Sequence, residues 1–201
     1  MEAFFNPHAE KQENVINAAL EAFGRNGYKK TSLSDIAEKA GVAKGMINYY
    51  FGSKKNLYLY LADLCGKSMT AEIEKGYDAN INDFFDNLKM MTNIKIEMIK
   101  NHPAILKFLT NLYLEEDQEV REKSKVFISS GMEFRERFMF QDIDISRFKD
   151  DVDPKLIDKL LVWAAEGLTN NLRQDMGVGE IEEFISDLYA CLDLMKKHFY
   201  K

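Results

Sequence analysis

No stretch of this chain alternates apolar and polar residues as a half-buried strand must. Its apolar residues recur three and four positions apart along almost the whole length. That spacing commits the chain to an all-α fold. Its three prolines, Pro7, Pro103 and Pro154, each stand just before a strong helical pattern, where first-turn amides have no partner to lose. The pattern predicts about nine helices. The first runs from Ala9 to Arg25, with Val15, Ile16, Ala19, Leu20 and Phe23 on one face and Gly27 at its end. Two very short helices follow: Ser32 caps one that Gly41 breaks, and the next runs from Ala43 to Tyr50. Ser53 caps a long fourth helix that buries Leu57, Leu61, Leu64 and Cys65. A fifth, Asn80 to Asn101, is apolar around most of its circumference and is therefore expected to be central. The remaining helices are expected over Pro103 to Glu115, Gln118 to Phe140, Pro154 to Met176, and from Glu180 onward. A loop with a helical turn occupies 141–153, and Gly177 and Gly179 part the last two helices.

The 201 residues, 46% of them apolar, suffice for one large domain or a small one joined to a medium one. No uncharged apolar run of about 20 residues is present to span a bilayer. Met1 to Asn14 lack the basic end and apolar run of a secretory signal, so a soluble cytoplasmic protein without a membrane partner is expected. Cys65 and Cys191 both fall inside apolar helical patterns and are expected as reduced core thiols. His8, His102 and His198 share no helical metal-ligand spacing, and no glycine-rich phosphate loop or serine-nucleophile motif occurs. We therefore expect no metal, no cofactor and no catalytic residue. The net charge of -6 argues against nucleic acid only until its distribution is counted. Residues 1–67 carry nine Lys/Arg against seven Asp/Glu, whereas the rest carry eighteen against twenty-six. Within 28–55, Lys29, Lys30, Lys39, Lys44, Lys54 and Lys55 are opposed only by Asp35 and Glu38.

Two helices of about seven residues, joined by a glycine-containing turn and braced by longer helices, read as a helix-turn-helix. The second helix of such a pair fits a DNA major groove about 12 Å wide. Val42 and Ile47 are expected to pack inward, leaving Lys44, Met46, Asn48, Tyr49 and Tyr50 to point outward. The stretch Thr31-Ser32-Leu33-Ser34-Asp35-Ile36-Ala37, then Ala40-Gly41-Val42-Ala43-Lys44-Gly45, then Tyr50-Phe51-Gly52-Ser53-Lys54-Lys55-Asn56-Leu57, resembles the N-terminal signature of the TetR (tetracycline-repressor) family. The resemblance implies a helix-turn-helix DNA-binding domain over 1–52 and a ligand-sensing and dimerisation domain over 53–201. It further implies phosphate contacts from Thr31, Ser32, Tyr50 and Lys54, groups suited to holding phosphate oxygens. Base reading would fall to Lys44, which can donate to guanine, to Tyr49, and to Gly45 and Met46 beside a thymine methyl, with Leu33 also reaching the groove. The chain departs from the pattern at two places. Ala43 stands where a capping residue is usual, and Asn48 replaces an aromatic residue, open to reading adenine or to the phosphate contact with which we group it.

One short recognition helix discriminates weakly, so two heads about 34 Å apart on a homodimer are expected. The last two helices carry more apolar residues than an intrachain seam needs, and Leu160, Ala164, Gly167, Leu188 and Leu192 are the expected interface. Met91, Met98, Phe108, Leu112, Phe134 and Trp163 are candidates to line a pocket for an unknown small hydrophobic or aromatic ligand. The expected partners are thus an operator duplex, a second copy and that ligand, with repression relieved when the ligand binds. The alternative is a helix-turn-helix regulator controlled by protein contacts alone.

Overall fold

The structure, a computed structural model, describes residues 9–171 and 178–201, apart from the side chains at 9–10, 99, 165–171, 178–182 and 184. Among the described residues nine α-helices follow one another: α1 (Ala9–Lys30), α2 (Leu33–Ala40), α3 (Lys44–Phe51), α4 (Lys54–Gly76), α5 (Phe84–Asn101), α6 (Pro103–Tyr113), α7 (Arg121–Phe140), α8 (Pro154–Asn171) and α9 (Val178–Phe199). A 3-10 turn at Ile145–Arg147 interrupts the loop before α8, as the sequence pattern predicts for that loop. The fold is all-α. None of the described helices is long and apolar enough to cross a membrane.

Where helix ends differ from expectation, a side chain decides. α5 begins at Phe84 rather than Asn80 because Asp83 accepts hydrogen bonds from the amides of Phe85 (3.0 Å) and Asp86 (3.1 Å), which caps the helix there. α7 begins at Arg121 rather than Gln118 because Asp117 draws the Glu119 amide to its carboxylate at 3.0 Å and turns the chain first. α1 continues to Lys30, but Gly27 (φ 72°, ψ 177°) sits inside it with a backbone no helix contains. The break is where the sequence places it; the chain simply re-enters a helical turn beyond it.

The chain divides into two compact units, Met1–Lys75 with Lys95–Phe134, and Gly76–Ile94 with Arg135–Lys201. In the first unit α1, α4 and α6 meet over an aromatic cluster. The Phe23 and Tyr58 rings pack edge to face at 5.0 Å, and Tyr58 meets Phe108 at 5.2 Å and Tyr28 at 5.1 Å. Val15, Ile36, Ile47, Leu57, Leu61 and Leu112 extend this core to α2 and α3. α6 lies tight on α1 because Gly24 has no side chain: a Cβ there would stand 2.9 Å from the Phe108 amide nitrogen and 3.0 Å from Lys107 Cβ. The Asn111 amide donates to the Gly24 carbonyl across the same contact. Cys65 is buried in this core, which pushes its thiol up to about 12 and leaves it an unreactive thiol. Cys191, by contrast, is exposed on α9, contrary to its expected core position.

The second unit is organised by ions as much as by rings. Phe148, brought in by the loop, packs against Phe84, Phe85 and Tyr200, with its ring 4.8 Å from that of Tyr200. Asp83, only 4% exposed, pairs with Arg147 and with Lys196 of α9, each at 3.1 Å, besides capping α5. Burial pushes its carboxyl up, but the Asp86 amide, Lys196 and Arg147 together outweigh that and hold it below the usual carboxylate range. Arg135 and Asp158 pair at 2.7 Å between α7 and α8.

Two outcomes follow from this packing. Gly24→Ala forces a methyl against backbone that cannot rotate away, so thermal unfolding should show a loss of about 1–3 kcal/mol. Asp83→Asn should cost about 1.5–3 kcal/mol at neutral pH by weakening charged hydrogen bonds. Because the Asp83 pKa is lowered on folding, its contribution is present above the unfolded pKa and lost as pH falls through the folded one. The Tm difference between parent and variant should therefore close below the ordinary carboxylate range; a difference constant from pH 7 downward would contradict this role.

Candidate nucleic-acid interface

The turn between α2 and α3 is set by backbone chemistry. Ser32 caps α2, its hydroxyl accepting from the Asp35 amide at 3.1 Å. Gly41 ends the helix in the left-handed region (φ 66°, ψ 32°), a conformation glycine adopts without strain, and the Val42 amide then reaches the Ala37 carbonyl at 3.0 Å. α3 starts at Lys44 with no side-chain cap from Ala43, as its sequence foretells, and Gly52 (φ 73°) closes it on the Asn48 carbonyl at 2.8 Å.

With eight residues, α3 shows its faces plainly. Ile47 is buried and anchors the helix on the core. At about 100° per residue, Gly45 and Tyr49 point directly away from it and Lys44 and Asn48 share one flank. All four are exposed, Tyr49 to 83%. Met46 and Tyr50 take the other flank, half-buried, and line a shallow cleft with Lys11, Gln12 and Val15 of α1. The Tyr50 ring braces Tyr49 edge to face at 5.1 Å. Val42 is half-buried beside Ile47, and Leu33 is half-buried in the first turn of α2.

Two residues assigned to phosphate are occupied otherwise. Thr31 is 3% exposed, and its hydroxyl donates to the carbonyls of Gly27 (2.8 Å) and Ala22 (3.0 Å), bridging the break in α1. Lys54 is half-buried: its ammonium donates to the carbonyls of Tyr28 (3.0 Å) and Thr31 (3.2 Å) and lies 4.3 Å over the Tyr28 ring. Two of its three protons are thereby committed to holding the start of α4 on the end of α1. Glu115 completes the clamp from beyond α6 by accepting from the Tyr28 amide at 3.0 Å. Sequence reasoning missed this clamp, since nothing in the spacing of Tyr28, Lys54 and Glu115 marks them as neighbours.

The expected pocket residues are divided between the two units. Met91 and Trp163 belong to the second unit, and Met98, Phe108, Leu112 and Phe134 to the first. Met91 and Met98 are buried on α5 and Phe134 is half-buried. Phe108 and Leu112 are fully buried in the core against α1 and α4, where neighbouring rings already fill the space beside them. Trp163 is 57% exposed, a correction to its expected place on an inner wall. It shares one flank of α8 with exposed Leu156, Leu160 and Ala164. Of the expected interface residues, Leu160 and Ala164 thus face outward and Leu188 is half-buried. Leu192, expected at the interface, is fully buried in a single copy. Gly167 lies outside the residues described at side-chain level. Among the described residues no group of three His, Cys, Asp or Glu side chains is placed to hold a metal ion.

Comparison with known proteins places this geometry. A family model described as bacterial regulatory proteins, tetR family, matches residues 15–61, which hold most of α1, all of α2 and α3, and the start of α4. The uncharacterized HTH-type transcriptional regulator YerO of Bacillus subtilis is 26% identical over 141 residues, 62% of this chain and 49% of its own. The chain thus spans about half the length of that relative. The fatty acid metabolism regulator protein of the same organism is 24% identical over 157 residues, 75% of this chain and 77% of its own. A crystal structure of a TetR family transcriptional regulator from Chloroflexus aurantiacus superimposes with a TM-score of 0.76 at 23% identity, covering 100% of this chain and 98% of that one. Together with the Ser32 cap, the Gly41 turn and the short outward-facing α3, the match identifies residues 15–61 as a helix-turn-helix segment of the kind found in the tetR family of bacterial regulatory proteins.

Proposed function

We propose that the chain is a cytoplasmic, homodimeric repressor that binds a palindromic DNA operator through α3 and releases it when a small apolar or aromatic ligand binds the region beyond residue 52. The observation that carries the reading is α3 itself: Ile47 roots it in the core while Lys44, Gly45, Asn48 and Tyr49 stand clear of the protein. A helix so held enters a major groove without reordering, and its exposed lysine can donate to guanine O6 and N7. Phosphate contact falls to Ser32, to the first-turn amides of α2 and to Tyr50, which flank the groove-facing surface. The excess of acidic residues beyond residue 67 disfavours the duplex there and favours the more basic head as its docking surface.

Dimerisation is supported by the α8 flank. Leu156, Leu160 and Trp163 are large apolar side chains left exposed by a single copy, and a second copy covers them by symmetry. The ligand class is supported by buried Met91 and Met98 on α5 and by the relative named for fatty acid metabolism. A ligand favouring a dimer whose heads no longer match one DNA turn would shift the population to that form and empty the operator.

Selection of bound duplexes from a random pool should enrich a palindrome with half-sites about one helical turn apart. Lys44→Ala should relax preference at one base in each half-site by about 5- to 150-fold, the worth of one good base contact. Uniform weakening on all sequences would instead make Lys44 a phosphate ligand. Leu160→Glu should convert the dimer to monomers in light scattering and lower operator affinity about 100-fold or more, with helix content retained. A Leu160→Glu protein that remains dimeric would move the interface away from the α8 flank.

A further inference from the structure

Asn48 is the one exposed carboxamide on the outer surface of α3, and the sequence pattern alone leaves it open between base and phosphate. Resting on the reading of α3 as the recognition helix, we infer that Asn48 reads an adenine in each half-site, its carboxamide bonding the N6 amino group and N7, rather than a backbone phosphate.

Three observations carry this. The first is freedom: among the described residues neither the oxygen nor the nitrogen of the Asn48 side chain is engaged in a hydrogen bond, while its main-chain carbonyl accepts from the Gly52 amide. One donor and one acceptor are therefore available side by side, the pair that the major-groove edge of adenine complements. The second is reach. An asparagine side chain is short, and it meets a base edge only if the helix backbone comes close to the groove floor. Gly45 is the residue that permits this approach: it lies three positions before Asn48, one turn away on the adjoining surface, and a Cβ built on it meets nothing within 4 Å. The third is company. Lys44 lies four positions before Asn48 on the same flank and is equally exposed, so both address the same wall of the groove. Four residues of helix rise about 6 Å, which spans about two base pairs. The adenine is accordingly placed about two base pairs from the guanine that Lys44 takes.

The test uses the full-length protein and the duplex selected from the random pool. Each adenine of the half-site is replaced in turn by 7-deazaadenine, which keeps base pairing and removes only the N7 acceptor. One position, within about two base pairs of the Lys44-dependent guanine, should lose about 5- to 150-fold in affinity. Asn48→Ala should lose at least that factor on the parent duplex and a smaller one on the substituted duplex, where only the bond to N6 is left to lose. Because the modified duplex is first tested with the unaltered protein, the result does not depend on the variant folding. Indifference of the unaltered protein to every 7-deazaadenine, or an Asn48→Ala protein weakened equally on all sequences with a shallower salt dependence, would overturn the assignment to a base while leaving α3 as the reader. Failure of the pool to enrich any duplex would overturn the recognition helix as well.

Discussion

The close contact of α1 with α6 at Gly24 is the constraint on which the first unit depends. Without a side chain at that point the two helices approach until Phe108 can enter the ring cluster of Phe23 and Tyr58. Burial of those rings supplies the rigidity that two helices of eight residues cannot supply for themselves, because so short a helix in isolation forms too few hydrogen bonds to offset its nucleation. α2 and α3 hold their shape because Ile36 and Ile47 reach into the same core. Lys44, Gly45, Asn48 and Tyr49 are left exposed on the outside of α3.

The clamp of Tyr28, Lys54 and Glu115 shows how a residue type suited to one purpose serves another. A lysine at the start of α4 has the chemistry to hold a phosphate, but here its ammonium is taken up by the carbonyls of Tyr28 and Thr31 at the end of α1. Those carbonyls carry partial negative charge at a helix terminus and lie within reach without any partner molecule. Thr31 is drawn inward by the same logic, its hydroxyl satisfying carbonyls that the Gly27 break leaves open. Folding thus uses these groups before any ligand arrives.

Much of the architecture was legible in the chain. The all-α class, the two short helices, the Ser32 and Gly41 boundaries and the inward turn of Ile47 all follow from local spacing and capping, which depend on residues only a few positions apart. So did the exposure of Lys44, Asn48 and Tyr49, whereas Met46 and Tyr50, also expected to point outward, are half-buried against α1. Long-range relationships were not legible. Periodicity marks a residue as apolar-facing without saying which neighbour it faces, so Phe108 and Leu112 read as pocket walls when they belong to the core under α1 and α4. Leu192, expected at an interface, is buried, and Trp163, expected on a pocket wall, is exposed.

What the amino-acid order determined by itself was the set of helices and the inward anchoring of α3 through Ile47, because caps, glycine turns and helical periodicity act within one or two turns of chain. What only the tertiary structure decided was the occupation of individual polar groups. Whether Lys54 or Thr31 is free, and whether Asp83 is an isolated buried charge or the centre of an ion cluster, depends on groups far apart in sequence that only packing brings within hydrogen-bond distance.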